Sequence, residues 1–503
     1  MHGFKRVLLV FFALAMLVGC FSACGKKTED PVIVTDTPGT EDSGEEKNGW
    51  SNVYDDVPQS LTFGEGDNRR EFVMLIRSEE PYCTEFDVFE DSSLVLNKAV
   101  FERNMAVEKR LGVMLRMDAQ PGNFQNATKF NQLISNSVKG NTTAWHVVAA
   151  YAGGGITSQA MQSSFHNLKE VQHLDFTKSY WNQSVSEQFT INDRLYFQTG
   201  DISPQLLGQS VVFFENLALA ADFGIESVYE LVENGTWTHE KLLSLSKQVY
   251  RDENGNGKVD RDDVFGLTMP LNAQVDAFYA SYNLPITELD ENGKLTFAFL
   301  RERVIGVYNA LYSLLCDTED NVWAKQDYID DVASDYLQAF INGGALFTAN
   351  RLYTATNYLI AMKNYAILPY PKLDELQKDY ITYSWDQYSL ILVPADVPGT
   401  DLDFVGAVLE VMASNSQNTV TPAYYQMALR KRYSPNAESS RMLDHIYGHI
   451  RIEYCYIGRL KDCGSPVFFL REQIRTGRNF IVASYQSNFE KYKTAFEKTF
   501  EEA

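Results

Sequence analysis

Hydrophobic positions in this chain are grouped in short blocks, and the blocks alternate between two periods. Phe72-Val73-Met74-Leu75-Ile76 is an unbroken apolar run, the pattern of a strand buried on both faces. From Leu94 to Leu111, the residues Leu96, Val100, Val107 and Leu111 return at helical spacing. Val113-Met114-Leu115-Arg116-Met117 predicts a second strand, Phe130 to Val138 a helix, and His146 to Tyr151 a third strand closed by Gly153-Gly154-Gly155. Strands alternating with helices predict an α/β fold with a parallel sheet. Ligands of such sheets bind beyond the carboxyl ends of the strands, here near Ser78–Asp87 and Tyr151–Gly155.

The pattern continues toward the C-terminus. Lys241 to Tyr250 reads as a helix opened by Thr238-His239-Glu240, and Asp290-Glu291-Asn292-Gly293 as a hairpin turn. Arg303 to Leu315 is helical, and Gly344 to Thr348 and Leu390 to Pro394 are strands. Ala366-Ile367-Leu368-Pro369-Tyr370-Pro371 is extended, and its prolines mark a crossing or edge segment. Phe404–Ser414, Ala423–Lys431 and Ser439–Ile452 read as helices. Trp181 and Trp237 are assigned to core packing.

The N-terminus has a different grammar. Lys5-Arg6 precedes an apolar run from Val7 to Val18 that is too short to span a bilayer, so residues 1–19 read as a secretory signal. Leu17-Val18-Gly19-Cys20 resembles the lipobox of bacterial lipoproteins. That resemblance implies a diacylglyceryl group on Cys20, with Cys24 as the alternative, and a protein anchored by lipid at the outer, extracytoplasmic face of the cell membrane. A plain secretory signal is the competing reading. Gly25 to Asp67 is polar, rich in Asp, Glu, Thr, Gly and Pro, and residues 20–67 are expected to form a disordered tether.

Composition narrows the function. A chain of 503 residues with 45% hydrophobic content has room for two or three domains. A net charge of −22 argues against nucleic acid and against electrostatic adhesion to anionic lipid. Of the six cysteines, Cys83, Cys316, Cys455 and Cys463 lie beyond the signal region and are too scattered for a disulfide framework. Cys455 and Cys463 either pair in an oxidising compartment or remain thiols.

One local motif carries metal chemistry. Asp252 to Asp263 follows the twelve-residue calcium loop. Asp252, Asn254 and Asn256 supply side-chain oxygens, Gly257 makes the turn, Lys258 offers its carbonyl, and Asp260 and Asp263 complete the set. Asp263 replaces the usual glutamate. The loop predicts a structural Ca2+, with a metal-free Asn-Gly turn as the alternative. His445, His449 and Glu453 would share a helix face and offer a zinc set, but the HExxH base is absent. GxSxG, P-loop and GxGxxG signatures are also absent, while abundant carboxylates leave a glycosidase pair open.

Several segments together resemble the extracellular solute-binding proteins of ABC importers, sugar-binding and maltose-binding-protein-like. Asn234-Gly235-Thr236-Trp237-Thr238-His239-Glu240-Lys241-Leu242 resembles their G-x-W-T-x-x-x-L segment. Phe101-Glu102-Arg103-Asn104 with Val107-Glu108 is similar to an ERN…VE helix, and Tyr180-Trp181-Asn182 with Gly200-Asp201 to the approach to a hinge. Ile367-Leu368-Pro369-Tyr370-Pro371-Lys372 resembles a crossing segment. Phe214-Glu215-Asn216 departs from the F-N-K run of many members. The resemblance implies a type II periplasmic-binding-protein-like fold: two lobes, each a mostly parallel sheet wound with helices, joined by a hinge. Residues 68–205 and 373–440 would form lobe 1, and 206–372 and 441–503 lobe 2. It implies a non-enzymatic monomer that captures a carbohydrate in the interlobe cleft and passes it to an ABC permease. Tyr82, Glu85, Tyr151, Asp201, Arg351, Trp385 and Asp386 are the candidate ligand residues, as aromatic faces and hydroxyl-binding polar groups near strand ends or the hinge. A peptide or amino-acid ligand, a lipid-anchored glycoside hydrolase and a structural surface lipoprotein are the rival readings.

Overall fold

The computed structural model describes residues 53–90, 92–160, 164–318, 320–325, 334–429, 437–458, 466–477 and 480–501. The signal sequence, Cys20, Cys24 and Cys463 lie outside the described residues. In chain order the strands are β1 (Arg70–Arg77), β2 (Val113–Gln120), β3 (Val147–Tyr151), β4 (Val211–Asn216), β5 (Tyr250–Arg251), β6 (Val264–Pro270) and β7 (Thr287–Leu289). They continue as β8 (Leu295–Phe297), β9 (Val322–Lys325), β10 (Ala345–Arg351), β11 (Tyr365–Leu368), β12 (Thr382–Tyr383), β13 (Ser389–Leu392) and β14 (Ile450–Arg451).

Two sheets organise the body. The first has the order β13-β3-β1-β2. β1 runs parallel to β2 and β3, and β13 closes the edge antiparallel to β3, with Ser389 opposite Tyr151. That register carries residues 385–388 past the carboxyl end of β3. The second sheet has the order β11-β4-β10-β6-β5, with β9 on β6. Its centre, β10-β6-β9, is parallel, whereas β4, β11 and β5 pair antiparallel. The chain passes between the sheets from β3 to β4 and again from β11 to β13. A short ribbon pairs β12 in the second passage with β14.

Helices cover the sheets for reasons visible in their residues. Val95–Leu111 buries Ala99, Val100, Val107 and Leu111 on one face and ends with Gly112 at φ 62°. A Cβ on Gly112 would meet the Gly64 carbonyl oxygen, so the position needs glycine for space and for backbone conformation. Leu402–Asn415 is apolar all round and packs its buried residues with Phe72, Met74, Ile76 and Trp181 in one core. Thr238 caps His239–Ser246 by accepting a hydrogen bond from the Lys241 amide. Trp181 and Trp237 are both buried, and their indoles donate to Glu410 and to the Pro369 carbonyl at 2.9 Å each.

Three expectations are corrected. The tether expected over 20–67 does not extend to 67, because residues 53–67 dock on the first sheet's layer. Val57 is buried, Leu61 and Phe63 pack on the core, and Asp55 holds Arg110 through contacts of 2.6 and 2.8 Å. A few apolar residues inside a polar stretch were enough to anchor it. The helix predicted over Ser439–Ile452 is Ala437–Gly448, and Ile450 continues as strand. Tyr250 likewise leaves its predicted helix and pairs with Phe265.

Candidate ligand-binding cleft

The carboxyl ends of β1 and β3 bring Arg77, Tyr82 and Tyr151 together. Arg77 is 1% exposed, and its guanidinium lies 3.9 Å from the Tyr82 ring centroid and 5.6 Å from that of Tyr151. It donates to the Gln387 carbonyl at 2.9 Å and to Ser389 Oγ at 3.1 Å. The Tyr82 hydroxyl donates to Gln387 Oε1, and the Tyr151 hydroxyl to Asp386 Oδ1 at 3.1 Å. Gly153 fits beneath Asp386 because a side chain there would strike the carboxylate.

The second sheet meets this cluster from β10. Arg351, its last residue, places its guanidinium 5.1 Å from the Trp385 ring centroid and 5.9 Å from that of Tyr353. Gln209 ties the two sides, accepting from Arg351 Nη1 at 3.3 Å and from the Trp385 amide at 2.9 Å. Burial raises the Tyr82 hydroxyl above its ordinary value, with Arg77 and then Arg351 pulling it down. Burial also raises Tyr151, reinforced by Asp386. Both phenols therefore stay protonated at neutral pH and keep their donor capacity.

Five of the seven candidate residues thus converge: Tyr82, Tyr151, Arg351, Trp385 and Asp386. Glu85 does not face the cleft. It is 1% exposed, accepts from Ser203, Ser389 and the Gln205 amide, and lies 3.6 Å from Arg77. Burial raises its carboxyl, with Arg77 acting in the opposite direction, so it supports the floor of the site. Asp201 belongs to a separate cavity of about 280 Å³, lined also by Tyr180, Asn182, Tyr447 and Gly448. It accepts from Thr421 at 2.8 Å and from Tyr447 at 2.7 and 2.8 Å. Burial pushes its carboxyl up to about 7. Residues that close the site without having been singled out are Arg77, Gln209, Tyr353 and Gln387. Arg77 carried a signal, a cation ending an apolar strand; the other three carried none.

In the calcium-type loop the oxygens are turned inward. Asp252 accepts from the Asn256 and Gly257 amides at 3.2 and 2.8 Å, and Asn256 Oδ1 accepts from the Lys258 amide at 2.7 Å. Asn254 and Asn256 donate side-chain N–H groups to Asp260 at 3.3 and 2.8 Å. Asp263 is 1% exposed, with Oδ2 accepting from the Asp260 amide at 3.1 Å and Oδ1 buried without a hydrogen bond. Among the described residues, no three His, Cys, Asp or Glu side chains are gathered as a metal set. The loop's donor set is mixed, with two asparagines and a carbonyl beside the carboxylates, as calcium loops allow. The His445, His449 and Glu453 set is not formed. The helix ends at Gly448, and Glu453 turns inward to the Ile286 and Thr287 amides.

No protein-family model matches the sequence, and comparison with curated proteins finds no match. Solved structures do match, across most of the chain. A cyclo/maltodextrin-binding protein complexed with maltotetraose aligns with TM-score 0.52 and 13% identity, covering 85% of this chain and 99% of its own. The GacH receptor of Streptomyces glaucescens, solved unliganded and with acarbose, aligns at 0.52 and 14%, covering 86% and 99%. M. tuberculosis UspC aligns at 0.54 and 13%, covering 84% and 100%. The chain has the fold of these proteins. It is the two-lobed α/β architecture of maltodextrin-type binding proteins, and the cluster around Trp385 and Arg351 lies where its two sheets meet. Among the described residues, no helix is long and apolar enough to cross a membrane.

Proposed function

We propose that this chain is a lipid-anchored, extracytoplasmic solute-binding protein that captures a carbohydrate between its lobes and delivers it to an ABC permease. The observation that carries the reading is the convergence of Tyr82, Tyr151 and Asp386 from the first sheet's side with Arg351 from the second, around Trp385. Aromatic faces with a few directed hydroxyls, a carboxylate and a guanidinium suit a polyhydroxylated ring: the rings cover its C–H faces and the polar groups exchange hydrogen bonds with its hydroxyls. In the two-lobe assignment, 68–205 with 373–440 forms one lobe and 206–372 with 441–503 the other.

Capture couples to closure because ligand contacts both sides. Only affinity that differs between open and closed forms shifts that equilibrium. Anchoring through Cys20 keeps the loaded protein near the membrane, and residues beyond the anchor up to about Val53 provide the reach. The loop from Asp252 to Asp263 would hold Ca2+ through Asp252, Asn254, Asn256, the Lys258 carbonyl, Asp260 and Asp263, and the buried, unbonded Oδ1 of Asp263 favours this.

The experiment is titration of the mature protein with maltotetraose, acarbose and β-1,6-galactobiose, read by calorimetry and solution scattering. Binding of one of them with a smaller radius of gyration is expected. Hydrolysis of the sugar, or binding without compaction, would overturn the reading.

A further inference from the structure

The chain's C-terminal region reaches the same cleft from the far side. The helix Phe468–Arg475 sets Arg471 and Arg475 one turn apart, and both clamp the start of the helix Ala273–Ser281. Arg475 Nε donates to the Leu271 carbonyl at 2.7 Å. Arg471 Nη1 donates to Asn272 Oδ1 at 2.9 Å and pairs with Asp276 Oδ2 at 2.9 Å. Asp276 is 1% exposed and its other oxygen, Oδ1, is buried with no hydrogen bond. Arg471 is 12% exposed, and its Nε is likewise buried with no hydrogen bond. Leaving a buried carboxylate oxygen and a guanidinium N–H unmet is costly, and here an acceptor and a donor are unmet in one ion pair.

The pair lies in the electrostatic field of the cleft. Burial pushes the Asp276 carboxyl up to about 7, Arg471 and Arg475 oppose this, and Asp386 adds to it. Tyr383 feels Asp276, Asp386 and Arg471 together. Phe468, exposed on the surface, lies with its ring centroid 4.4 Å from the Arg471 guanidinium.

Resting on the carbohydrate reading, we propose that Asp276 and Arg471 form a hydroxyl-reading subsite, with Phe468 as its apolar wall. One hydroxyl of a sugar ring donates to Asp276 Oδ1, and its neighbour accepts from Arg471 Nε. A hydroxyl is both donor and acceptor, so a vicinal pair satisfies both unmet atoms at once. Sites built to bond a hydroxyl reject the analogue lacking it, because their own groups are then left unpaired. The pair is therefore a specificity determinant supplied by the last segment of the chain.

The test uses Asp276→Asn, Arg471→Lys and Phe468→Ala in the full mature protein, with folding checked by circular dichroism. Whichever of maltotetraose, acarbose or β-1,6-galactobiose the wild type binds is titrated beside its monodeoxy derivatives. The wild type is expected to lose at least tenfold in affinity for one deoxy sugar. Asp276→Asn and Arg471→Lys are expected to bind the parent at least tenfold more weakly and to lose that discrimination. Phe468→Ala, at an exposed position, provides a binding readout should the buried variants fail to fold, with a similar loss expected. Variants that bind as the wild type does overturn the subsite alone, as do variants that weaken binding yet still reject the deoxy sugar. A wild type that binds none of the three overturns both the carbohydrate reading and the subsite.

Discussion

Arg351 lies over the indole of Trp385, 5.1 Å from its centroid, and the two residues belong to opposite sides of the cleft. Arg351 ends β10 of the second sheet, and Trp385 precedes β13, the edge of the first. A guanidinium on an indole contributes about 0.5–1 kcal/mol where exposed and about 2 kcal/mol when desolvated. The contact therefore favours proximity of the sheets only weakly, and a ligand inserted beside it can replace it. Trp385→Ala is expected to weaken sugar binding by about 1–3 kcal/mol, the scale of losing one buried anchor, while the melting temperature of the free protein changes little. Calorimetric titration with maltotetraose, acarbose or β-1,6-galactobiose checks this, and unchanged affinity for the sugar that binds would remove Trp385 from the site.

A second prediction follows from the docked segment near the N-terminus. Arg110 is fastened by both oxygens of Asp55 and by the Val57 carbonyl at 2.8 Å. Val53 exchanges hydrogen bonds with Asn418 and accepts one from Ser414. Residues 53–57 thus join the helix Val95–Leu111 to the helix Leu402–Asn415 and the turn that follows it. Asp55→Ala removes a charged hydrogen-bond pair and is expected to cost about 1.5–3 kcal/mol. The measurement is urea unfolding, read as a lower midpoint at constant slope.

Much of the architecture was legible because it rests on local patterns. β1, β2 and β3 are apolar runs, and Val95–Leu111 repeats at helical spacing and ends on a glycine. Tyr82, Tyr151 and Asp386 were findable because strand ends are where such sheets bind ligands. Glu85 sits at the same strand end but turns inward, and nothing in the sequence distinguishes a carboxylate aimed at ligand from one aimed at Arg77. The partnership of Arg471 with Asn272 spans 199 residues and leaves no local signature. The docking of 53–67 was missed because composition averaged its few apolar residues into a polar stretch.

The third prediction concerns pH. Glu215 on β4 is 2% exposed, and burial pushes its carboxyl from 4.5 up to about 8. A carboxyl with a raised native pKa keeps its proton in the fold after the unfolded chain has lost it. Its contribution is therefore full below about pH 4.5 and is lost as pH rises through about 8. Asp201 and Glu410, each pushed up to about 7, act in the same direction. Glu215→Gln keeps the shape and removes the charge, so its melting temperature is expected to fall less than the wild type's between about pH 5 and about pH 8.5. Parallel curves for the two proteins would show that Glu215 ionises normally.

The last prediction concerns the loop from Asp252 to Asp263. Its backbone N–H groups are already satisfied by its own side chains, as in the bonds from Asn256 and Gly257 to Asp252. What remains unmet is oxygen: Asp263 Oδ1 is buried without a donor, and Asp260 borrows the amide groups of Asn254 and Asn256. A divalent cation would engage these oxygens together and release both asparagines to present their own. Because such an ion binds the folded loop and not the unfolded chain, it stabilises by RT ln(1 + [Ca2+]/Kd), about 2.7 kcal/mol at a hundredfold excess over Kd. Chelation with EGTA is expected to lower the melting temperature, and added Ca2+ to restore it. Asp252→Ala should melt at one temperature with or without Ca2+. Mg2+ should restore the wild type poorly, since it requires a near-ideal octahedron of shorter bonds. Identical wild-type melting curves in EGTA and in Ca2+ would mean that the loop holds its shape through the hydrogen bonds alone.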